Sequence, residues 1–217
     1  MPGVAFGRAL PDTGSVEVLG VEPLRPKGPN DDDLMAAIDR LARRLGIVPP
    51  QIGGVAVSIG PGGYTAMRIA IATAKMISEA TGARTIAIPT AEVAARLATA
   101  GAGDFAVALA SKRETAFVTV FGPDRTSKAP GSVMTAADLE ALVRGEVPLA
   151  RLYCDRFIPD RFHRILEDTG VRIETLRLNP VACLEASLSI PPVNPLALAP
   201  LYAREPEAVT IWRTKKS

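Results

Sequence analysis

The chain has 217 residues, of which 47% are hydrophobic and 22% are charged, a balance typical of a globular protein rather than a disordered one. Its 25 basic and 23 acidic residues leave a net charge of +2, which argues against a protein that holds nucleic acid mainly by charge. Two cysteines without a Cys-x-x-Cys pair and a single histidine argue against a disulfide framework and a multi-histidine metal site, and they favour a reduced, cytoplasmic setting. The first residues lack the charged start and long apolar run of a signal peptide, and no segment approaches the roughly 20 apolar residues of a membrane span.

The amino-terminal residues predict a hairpin and then a helix. Gly3–Leu10 and Gly14–Leu24 are expected to be strands, because the Pro-Asp-Thr-Gly sequence between them is typical of a turn. A helix is expected over Asp31–Leu45, where apolar residues recur at helical spacing. Asn30 and the aspartates Asp31–Asp33 at its start suit capping better than a metal cluster, because adjacent side chains at a helix start point apart.

The stretch from Val55 onward predicts a βαβ unit. Val55–Ile59 is β-branched and apolar with small residues between, as a buried strand should be. Gly60–Gly63 must turn, because its glycines and proline continue neither a strand nor a helix. A helix is expected over Tyr64–Thr81 and a second strand over Arg84–Pro89. The two strands should therefore be parallel, with a right-handed crossover.

The glycine turn of this unit is a possible anion-binding loop formed by Gly60, Gly62, Gly63 and Thr65. Free N–H groups and the positive end of the helix dipole meet there, which suits an anion such as phosphate. The sequence is not a P-loop, since no Gly-Lys-Ser/Thr follows, and it is not Gly-x-Gly-x-x-Gly, since Thr65 stands where the third glycine would be. A purely structural turn is the alternative.

The helix that follows has an apolar face made mostly of alanine. Small side chains let two helices approach closely, so this face predicts either a helix–helix contact, within the chain or with another chain, or ordinary packing on the sheet. The face consists of Ala66, Ile69, Ala70, Thr73, Ala74, Ile77 and Ala80.

The rest of the chain again begins with a hairpin and continues with alternating helices and strands. A helix is expected over Ala91–Ala100, and the small residues that follow it mark a domain boundary. Thr135 and Asp138 resemble a capping box, and the many prolines after Ile190 predict an irregular tail. The further expected elements are strands over Phe105–Ala110, Thr115–Phe121, Leu149–Cys154 and Val171–Leu178 and helices over Thr135–Arg144, Asp160–Thr169 and Asn179–Ser189. This repetition predicts a duplicated α/β architecture with halves 1–100 and 101–217.

Catalytic chemistry is not indicated by any cluster of residues. His163 lies on a predicted short helix between two arginines, and a single histidine without a placed partner makes no triad. Cys154 and Cys183 are expected to be buried small residues rather than nucleophiles. Tyr202 and Trp212 in the tail are expected to be packing anchors.

Three segments carry a resemblance to a known family. Gly60–Arg68 resembles the glycine-proline-glycine-serine-phenylalanine-threonine-glycine-x-arginine signature of TsaB, the bacterial tRNA threonylcarbamoyladenosine biosynthesis protein. Pro200–Val209 is similar to the proline-x-tyrosine-leucine-arginine tail of that family. Leu109–Phe117 resembles, more weakly, its aspartate-alanine-arginine-arginine-glycine-glutamate hairpin. The resemblance extends over most of the chain from about Asp32 onward.

The resemblance implies an α/β fold of two related actin-like, ribonuclease-H-like halves, with mixed sheets and flanking helices. It implies no cofactor and no catalysis by this chain, since TsaB binds and supports a paralogue, TsaD, that transfers threonylcarbamoyl to tRNA. It also implies a TsaE-type ATPase that joins through the complex, an indirect relation to tRNA, and a homodimer when the chain is alone. The family contacts TsaD through the helices of the first half, which here places the interface at Leu34, Met35, Ile38, Met67, Ala70, Ala74 and Ile77.

The chain departs from the family at its start. Family members begin with a strand that ends in Asp-Thr-Ser, whereas this sequence begins at what matches the next strand. Either that strand is lost, which would remove an interior strand of the first sheet and expose an edge, or the true start lies upstream. Asn30–Asp32 and Ala110 also replace polar residues of the family pattern. Two other functions therefore stay open: a nucleotide-binding enzyme of the actin-like fold, and a diverged paralogue that only associates with itself.

Overall fold

The structure, a computed structural model, describes residues 2–26, 28, 33–99, 103–145 and 149–204. These residues form the α/β alternation that the sequence predicts, and none of the helices they contain is long and apolar enough to cross a membrane. The strands are β1 (Gly3–Leu10), β2 (Ser15–Pro23), β3 (Gly54–Gly60), β4 (Arg84–Pro89), β5 (Phe105–Ser111), β6 (Thr115–Phe121), β7 (Ser132–Met134), β8 (Arg151–Cys154) and β9 (Arg172–Thr175). The helices are α1 (Leu34–Leu45), α2 (Tyr64–Thr81), α3 (Thr90–Leu97), α4 (Ala136–Val143), α5 (Asp160–Leu166) and α6 (Pro180–Ser187).

The second half is built on one five-stranded sheet in the order β7-β6-β5-β8-β9. Its central strand, β5, is antiparallel to β6 and parallel to β8, so both of its edges are hydrogen bonded. Successive residues of a strand face opposite sides of a sheet. Ala106 and Ala108 accordingly pack in one core with α4 and α5, while Val107 and Leu109 pack in another with α3. β5 is therefore buried on both faces.

The first half holds two separate two-stranded sheets instead of one. β1 and β2 are antiparallel, and β3 and β4 are parallel, but the two pairs are not hydrogen bonded to each other. The second half contains the same two kinds of pair in the same chain order. The antiparallel pair β1–β2 corresponds to β6–β7, and the parallel pair β3–β4 corresponds to β8–β9. No strand of the described residues occupies the position that corresponds to β5. The expected gap in the first sheet and the parallel β3–β4 pairing are both confirmed.

The two sheets of the first half are joined by α6 and the segment after it. α6 packs against both sheets, and its Ala182 and Ala186 share a core with Ile88 and Val93. The chain then follows β4, where the Val193 N–H donates to the Thr85 carbonyl at 2.8 Å. α6 and the segment through Leu201 thus pack on the first half, although sequence analysis placed them in the second. The boundary residues 100–102 and the tail after 204, with Trp212, lie outside the described part.

The start of α1 differs from the prediction. The helix begins at Leu34, and Asp33 before it has a left-handed backbone (φ 52°) and makes no side-chain cap. Its carboxylate instead accepts two hydrogen bonds from the Arg40 guanidinium, at 2.7 and 2.9 Å. An ion pair to the helix body therefore replaces the predicted cap at this residue, while Asp31 and Asp32 lie outside the described residues.

Other predicted boundaries hold or shift slightly. The capping box of α4 is confirmed, because the Asp138 N–H donates to the Thr135 hydroxyl at 3.2 Å and the Thr135 N–H donates back to the Asp138 carboxylate at 2.8 Å. α3 ends at Leu97, and β9 ends at Thr175 rather than Leu178. The three-residue β7 was not predicted, since it is too short to show an alternating pattern.

A buried carboxylate fixes α1 on the first hairpin. Glu22 of β2 is only 2% exposed, and its two oxygens accept hydrogen bonds from Arg40 at 3.1 Å and Arg44 at 2.6 Å. These bonds, from Arg44 first and then from Arg40, hold the pKa of Glu22 below its usual value. The Arg40 guanidinium, helped by the Arg25 backbone N–H, lowers the pKa of Asp33 to about 2. A carboxylate buried in this way stays ionised only because the arginines are paired with it.

We predict that acid destabilises the protein through these two carboxylates. Because their pKa values are lowered on folding from 4.5 and 3.8, their stabilisation is complete above about pH 4.5 and is lost as the pH falls toward 2. Urea unfolding followed by circular dichroism across this range should show the loss, and Asp33→Asn should reduce it. Asp39→Asn, which alters an exposed pair on the same helix, is the control. The same pH profile for Asp33→Asn and the unaltered chain would contradict the prediction.

Candidate functional site

The turn between β3 and α2 is shaped by one glycine. Gly60 has φ +108°, and a Cβ atom added to it would lie 2.3 Å from the Met67 sulfur and 2.9 Å from the Leu201 carbonyl oxygen. The site therefore accepts only glycine. Gly62 and Gly63 differ, since Gly63 has φ −61° and no neighbouring atom within 4 Å of such a Cβ. The backbone at these two positions is open to the surroundings rather than packed.

The amino end of α2 is exposed at this turn. Gly63 occupies the position before the helix and supplies no side-chain cap, and Gly62, Gly63 and Thr65 are exposed along the edge of a cleft. This arrangement has the geometry that sequence analysis expected of an anion-binding loop. Binding of an anion by Gly60, Gly62, Gly63 and Thr65 stays a prediction.

The carboxyl-terminal segment is held against this turn. The rings of Tyr64 and Tyr202 stack with centroids 5.7 Å apart, and the Leu201 N–H donates to the Ile59 carbonyl at 2.8 Å. Arg68, on the next turn of α2, donates to the Tyr64 hydroxyl at 2.9 Å, and its guanidinium lies 5.2 Å from the centre of that ring. The turn, the helix start and the tail therefore form one packed unit.

The hairpin of the second half joins the same unit. Arg204 donates to the Thr115 hydroxyl at 2.9 Å, just after the turn that links β5 to β6. All three segments that carry the family resemblance thus meet near the carboxyl ends of β3 and β5. Open α/β sheets present their binding surfaces at this end of their strands.

Asp155 and the two thiols, which lie outside this unit, are engaged in the fold. Burial, with a smaller contribution from Asp155, raises the pKa of Cys154 to about 11, and burial raises the pKa of Cys183 to about 12. Both thiols are therefore protonated at neutral pH and are poor nucleophiles. The Asp155 carboxylate accepts hydrogen bonds from the Ala110 and Phe157 N–H groups, each at 2.8 Å.

His163, the single histidine of the sequence, is the remaining candidate. His163 is half-buried on α5. Within the described ranges, no three His, Cys, Asp or Glu side chains are grouped so that they could hold a metal ion.

The predicted interface residues fall into three groups. Met35 is exposed, whereas Leu34, Ile38, Ala70 and Ile77 are partly buried and line the cleft. Met67 and Ala74 also border the cleft but are buried, and Ala74 packs with Val57 of β3. The alanine face of α2 therefore packs on the sheet along one side and borders the cleft along the other.

Met76 is an exposed apolar residue that sequence analysis missed. Its side chain is 56% exposed, and Met35 on α1 is 52% exposed. At helical spacing Met76 follows Thr73 by three residues, and Met35 precedes Ile38 by three, so both methionines lie beside residues that line the cleft. The sequence alone could have indicated Met76, because its spacing from Thr73 adds one more apolar residue to the apolar face of α2.

Comparison with known proteins agrees with the fold, and the family match includes two of the three segments. The family model described as TsaD, tRNA N6-adenosine threonylcarbamoyltransferase, matches residues 17–142, more than half of the chain, and the chain belongs to this family. Its fold is the mixed α/β, actin-like fold. A search of curated proteins finds no significant match.

Among the solved structures that are similar to this chain are two from Pseudomonas aeruginosa. One is a Pseudomonas aeruginosa protein described as uncharacterised and similar to peptidase YeaZ, with 16% identity, a TM-score of 0.68, and coverage of 94% of this chain and 100% of that one. The other is YeaZ from Pseudomonas aeruginosa, with 17% identity, a TM-score of 0.63, and coverage of 78% and 82%. YeaZ is TsaB, and the predicted resemblance is confirmed: this chain is a TsaB-like protein.

We predict that the turn tolerates substitution at one glycine and not at the other. Gly60→Ala should lower the free energy of unfolding by about 2 kcal/mol or more, since it adds a clash to a left-handed backbone. Gly63→Ala, where a Cβ meets open space, should change it by less than about 0.5 kcal/mol. Urea unfolding of both variants is the measurement. Equal effects would show that contacts at Gly60 do not shape the turn.

Proposed function

We propose that this chain is a non-catalytic subunit that binds and supports a TsaD-type partner in tRNA threonylcarbamoyladenosine synthesis. Family membership and the TsaB-like fold connect the chain with this modification. In the proposed role the partner carries out the transfer of threonylcarbamoyl. A TsaE-type ATPase and tRNA then join through the complex rather than through this chain.

The meeting of three sequence segments at one place is the observation that carries the proposal. Gly60–Arg68, the hairpin before Thr115 and the tail at Tyr202 are far apart in sequence but contact one another through the Tyr64–Tyr202 stack and the Arg204–Thr115 hydrogen bond. These contacts fix α2 by its first turn. The unit therefore supports a helix surface rather than a reactive group.

The proposed partner surface lies on α1 and α2. Met35 and Met76 expose apolar side chains on the two helices beside one cleft, and methionine adapts its shape to a partner more readily than branched residues do. Leu34, Ile38 and Ile77 lie next to them, partly buried. Buried Met67 and Ala74 support this surface from within the chain.

The chemistry of the described residues favours a supporting role. Both thiols have raised pKa values, and the Asp155 carboxylate is occupied by two backbone N–H groups. Glu22 and Asp33 are paired with arginines that hold α1 in place. The thiols are protonated, and each of these three carboxylates would need to lose a structural partner before it could act on a substrate.

We predict that a charge at either methionine breaks the complex. The chain should co-elute with the TsaD-type protein from the same source on size-exclusion chromatography. Met35→Arg or Met76→Arg should weaken the complex at least about tenfold, because each places an unpaired charge in an apolar contact. Leu196→Arg, at an apolar side chain that is 89% exposed on the tail, is the matched control and should leave the complex unchanged.

Two other results would contradict this proposal. A chain that forms only dimers of itself, and no complex with the TsaD-type protein, would favour a diverged self-associating paralogue. Tight binding of ATP and magnesium by the isolated chain in calorimetric titration, lost in Gly62→Pro, would favour a nucleotide-binding enzyme that uses the turn before α2.

A further inference from the structure

The sulfur-containing side chains of this protein differ widely in their access to solvent. The sequence holds five methionines and two cysteines, and all of them except Met1 lie within the described residues. Met35 and Met76 are 52% and 56% exposed, whereas Met67 is 9% exposed and Met134 is partly buried. A small oxidant dissolved in water therefore reaches Met35 and Met76 more readily than the other two described methionines.

The neighbours of the two exposed methionines leave them open. Met76 lies on α2, and the residues four positions before and after it, Ala72 and Ala80, are small and exposed. Met35 lies in the first turn of α1, where the next residue, Ala36, is also small and exposed. Alanine has too little side chain to cover a neighbouring thioether. Both methionines can therefore react from the surface of the helices.

The fold protects the other described sulfur atoms. Met67 packs at the turn before α2, where a Cβ atom added to Gly60 would lie 2.3 Å from its sulfur. Met134 of β7 packs against the core that β5, α4 and α5 share. Burial is the main cause that raises the pKa values of Cys154 and Cys183, so at neutral pH these thiols contain almost no thiolate, the form that peroxide attacks.

Oxidation by peroxide changes the character of a methionine side chain. The lone pair of the thioether sulfur attacks one oxygen of hydrogen peroxide, and the O–O bond breaks. The other oxygen leaves as hydroxide and takes the proton from the first, so it is released as water. The sulfur has then lost two electrons and carries a sulfoxide oxygen, which is a hydrogen-bond acceptor. Burying such an acceptor without a donor is unfavourable.

We propose that hydrogen peroxide switches off binding of the TsaD-type partner by oxidising Met35 and Met76 to sulfoxides. The inference rests on the proposed function, since it names the regulation of the same helix surface. The switch is reversible, because a methionine sulfoxide reductase removes the oxygen as water with two electrons from a pair of thiols, which become a disulfide. The fold survives oxidation, since buried Met67 and the two thiols stay reduced.

Peroxide treatment of the free chain tests the proposal. The chain is exposed to rising amounts of hydrogen peroxide, freed of it by catalase and gel filtration, and only then mixed with the TsaD-type protein. Mass spectrometry gives the sulfoxide fraction at each methionine, and calorimetric titration gives the dissociation constant of the complex. Met35 and Met76 should form sulfoxide at least about tenfold faster than Met67 does, because of their greater exposure.

The dissociation constant should follow the oxidation of the two exposed methionines. Full conversion of Met35 and Met76 should raise it at least about tenfold. Sulfoxide reductases for both sulfoxide epimers, supplied with dithiothreitol, should restore the original constant. Partner bound before the treatment should slow sulfoxide formation at both methionines, because it covers them. This series needs no variant and decides the question without one.

Two variants attribute the loss of binding to this surface. The double variant Met35→Leu with Met76→Leu keeps apolar bulk without a thioether. Whatever its starting affinity, its dissociation constant should change by less than about twofold on treatment, since no oxidisable sulfur is left on this surface. Met134→Leu removes a methionine of the second half and is the matched control. Its complex should weaken on treatment as that of the unaltered chain does.

The outcomes separate this inference from the proposed function. A complex that survives full conversion of Met35 and Met76 would overturn the inference alone. Weakening that follows the sulfoxide at Met67 or a fall in melting temperature would do the same, since the fold and not the surface would then have failed. Equal weakening in the double leucine variant is a third such result. No complex with the untreated chain would overturn the proposed function, and this inference with it.

Discussion

The packing of α6 against both sheets is the contact on which the first half depends. A two-stranded sheet is marginally stable by itself, and here β1–β2 and β3–β4 share no backbone hydrogen bonds. α6 contacts both pairs, and its buried Ala182 and Ala186 bring the helix close to β4 and α3. Asn179 caps the helix through the Ala182 N–H at 2.9 Å. The first half is thus completed by residues from the far end of the chain.

The position of the tail follows from that packing. After α6 the chain runs beside β4, buries Leu198 against Val57, and reaches the end of β3 at Leu201. Tyr202 then meets Tyr64 at the first turn of α2, and Arg204 reaches Thr115. A displaced α6 would therefore also separate the tail from the other two segments that carry the resemblance. The fold of the first half and the candidate site therefore both depend on the segment from α6 to Arg204.

Ion pairs, more than packing on a continuous sheet, hold α1 in its position. Glu22 on β2 draws Arg40 and Arg44 from one side of the helix, and Asp33 draws Arg40 at its start. Buried ion pairs add little net stability but fix orientation, because any other arrangement leaves a charge unpaired. The pairing leaves Met35 exposed, three residues before Ile38, which lines the cleft.

Local patterns determined most of the elements. The bounds of α2 and β4 were predicted from the sequence as the structure has them, because glycine, proline and helical spacing act within a few residues. The capping box of α4 and the hairpin β5–β6 were likewise local. The Asp33 cap was predicted wrongly, since an arginine seven residues later competes for the carboxylate.

Only the tertiary structure decided which segments meet. No local pattern tells that α6 belongs with the first half, that Tyr202 stacks on Tyr64, or which side of the alanine face packs on β3, because these contacts join residues more than a hundred positions apart or depend on which face of a helix is covered. The resemblance to TsaB indicated the fold and the gap in the first sheet. The cleft between the two sheets of the first half became visible only when the sheets were placed side by side, since its lining comes from segments far apart in the sequence.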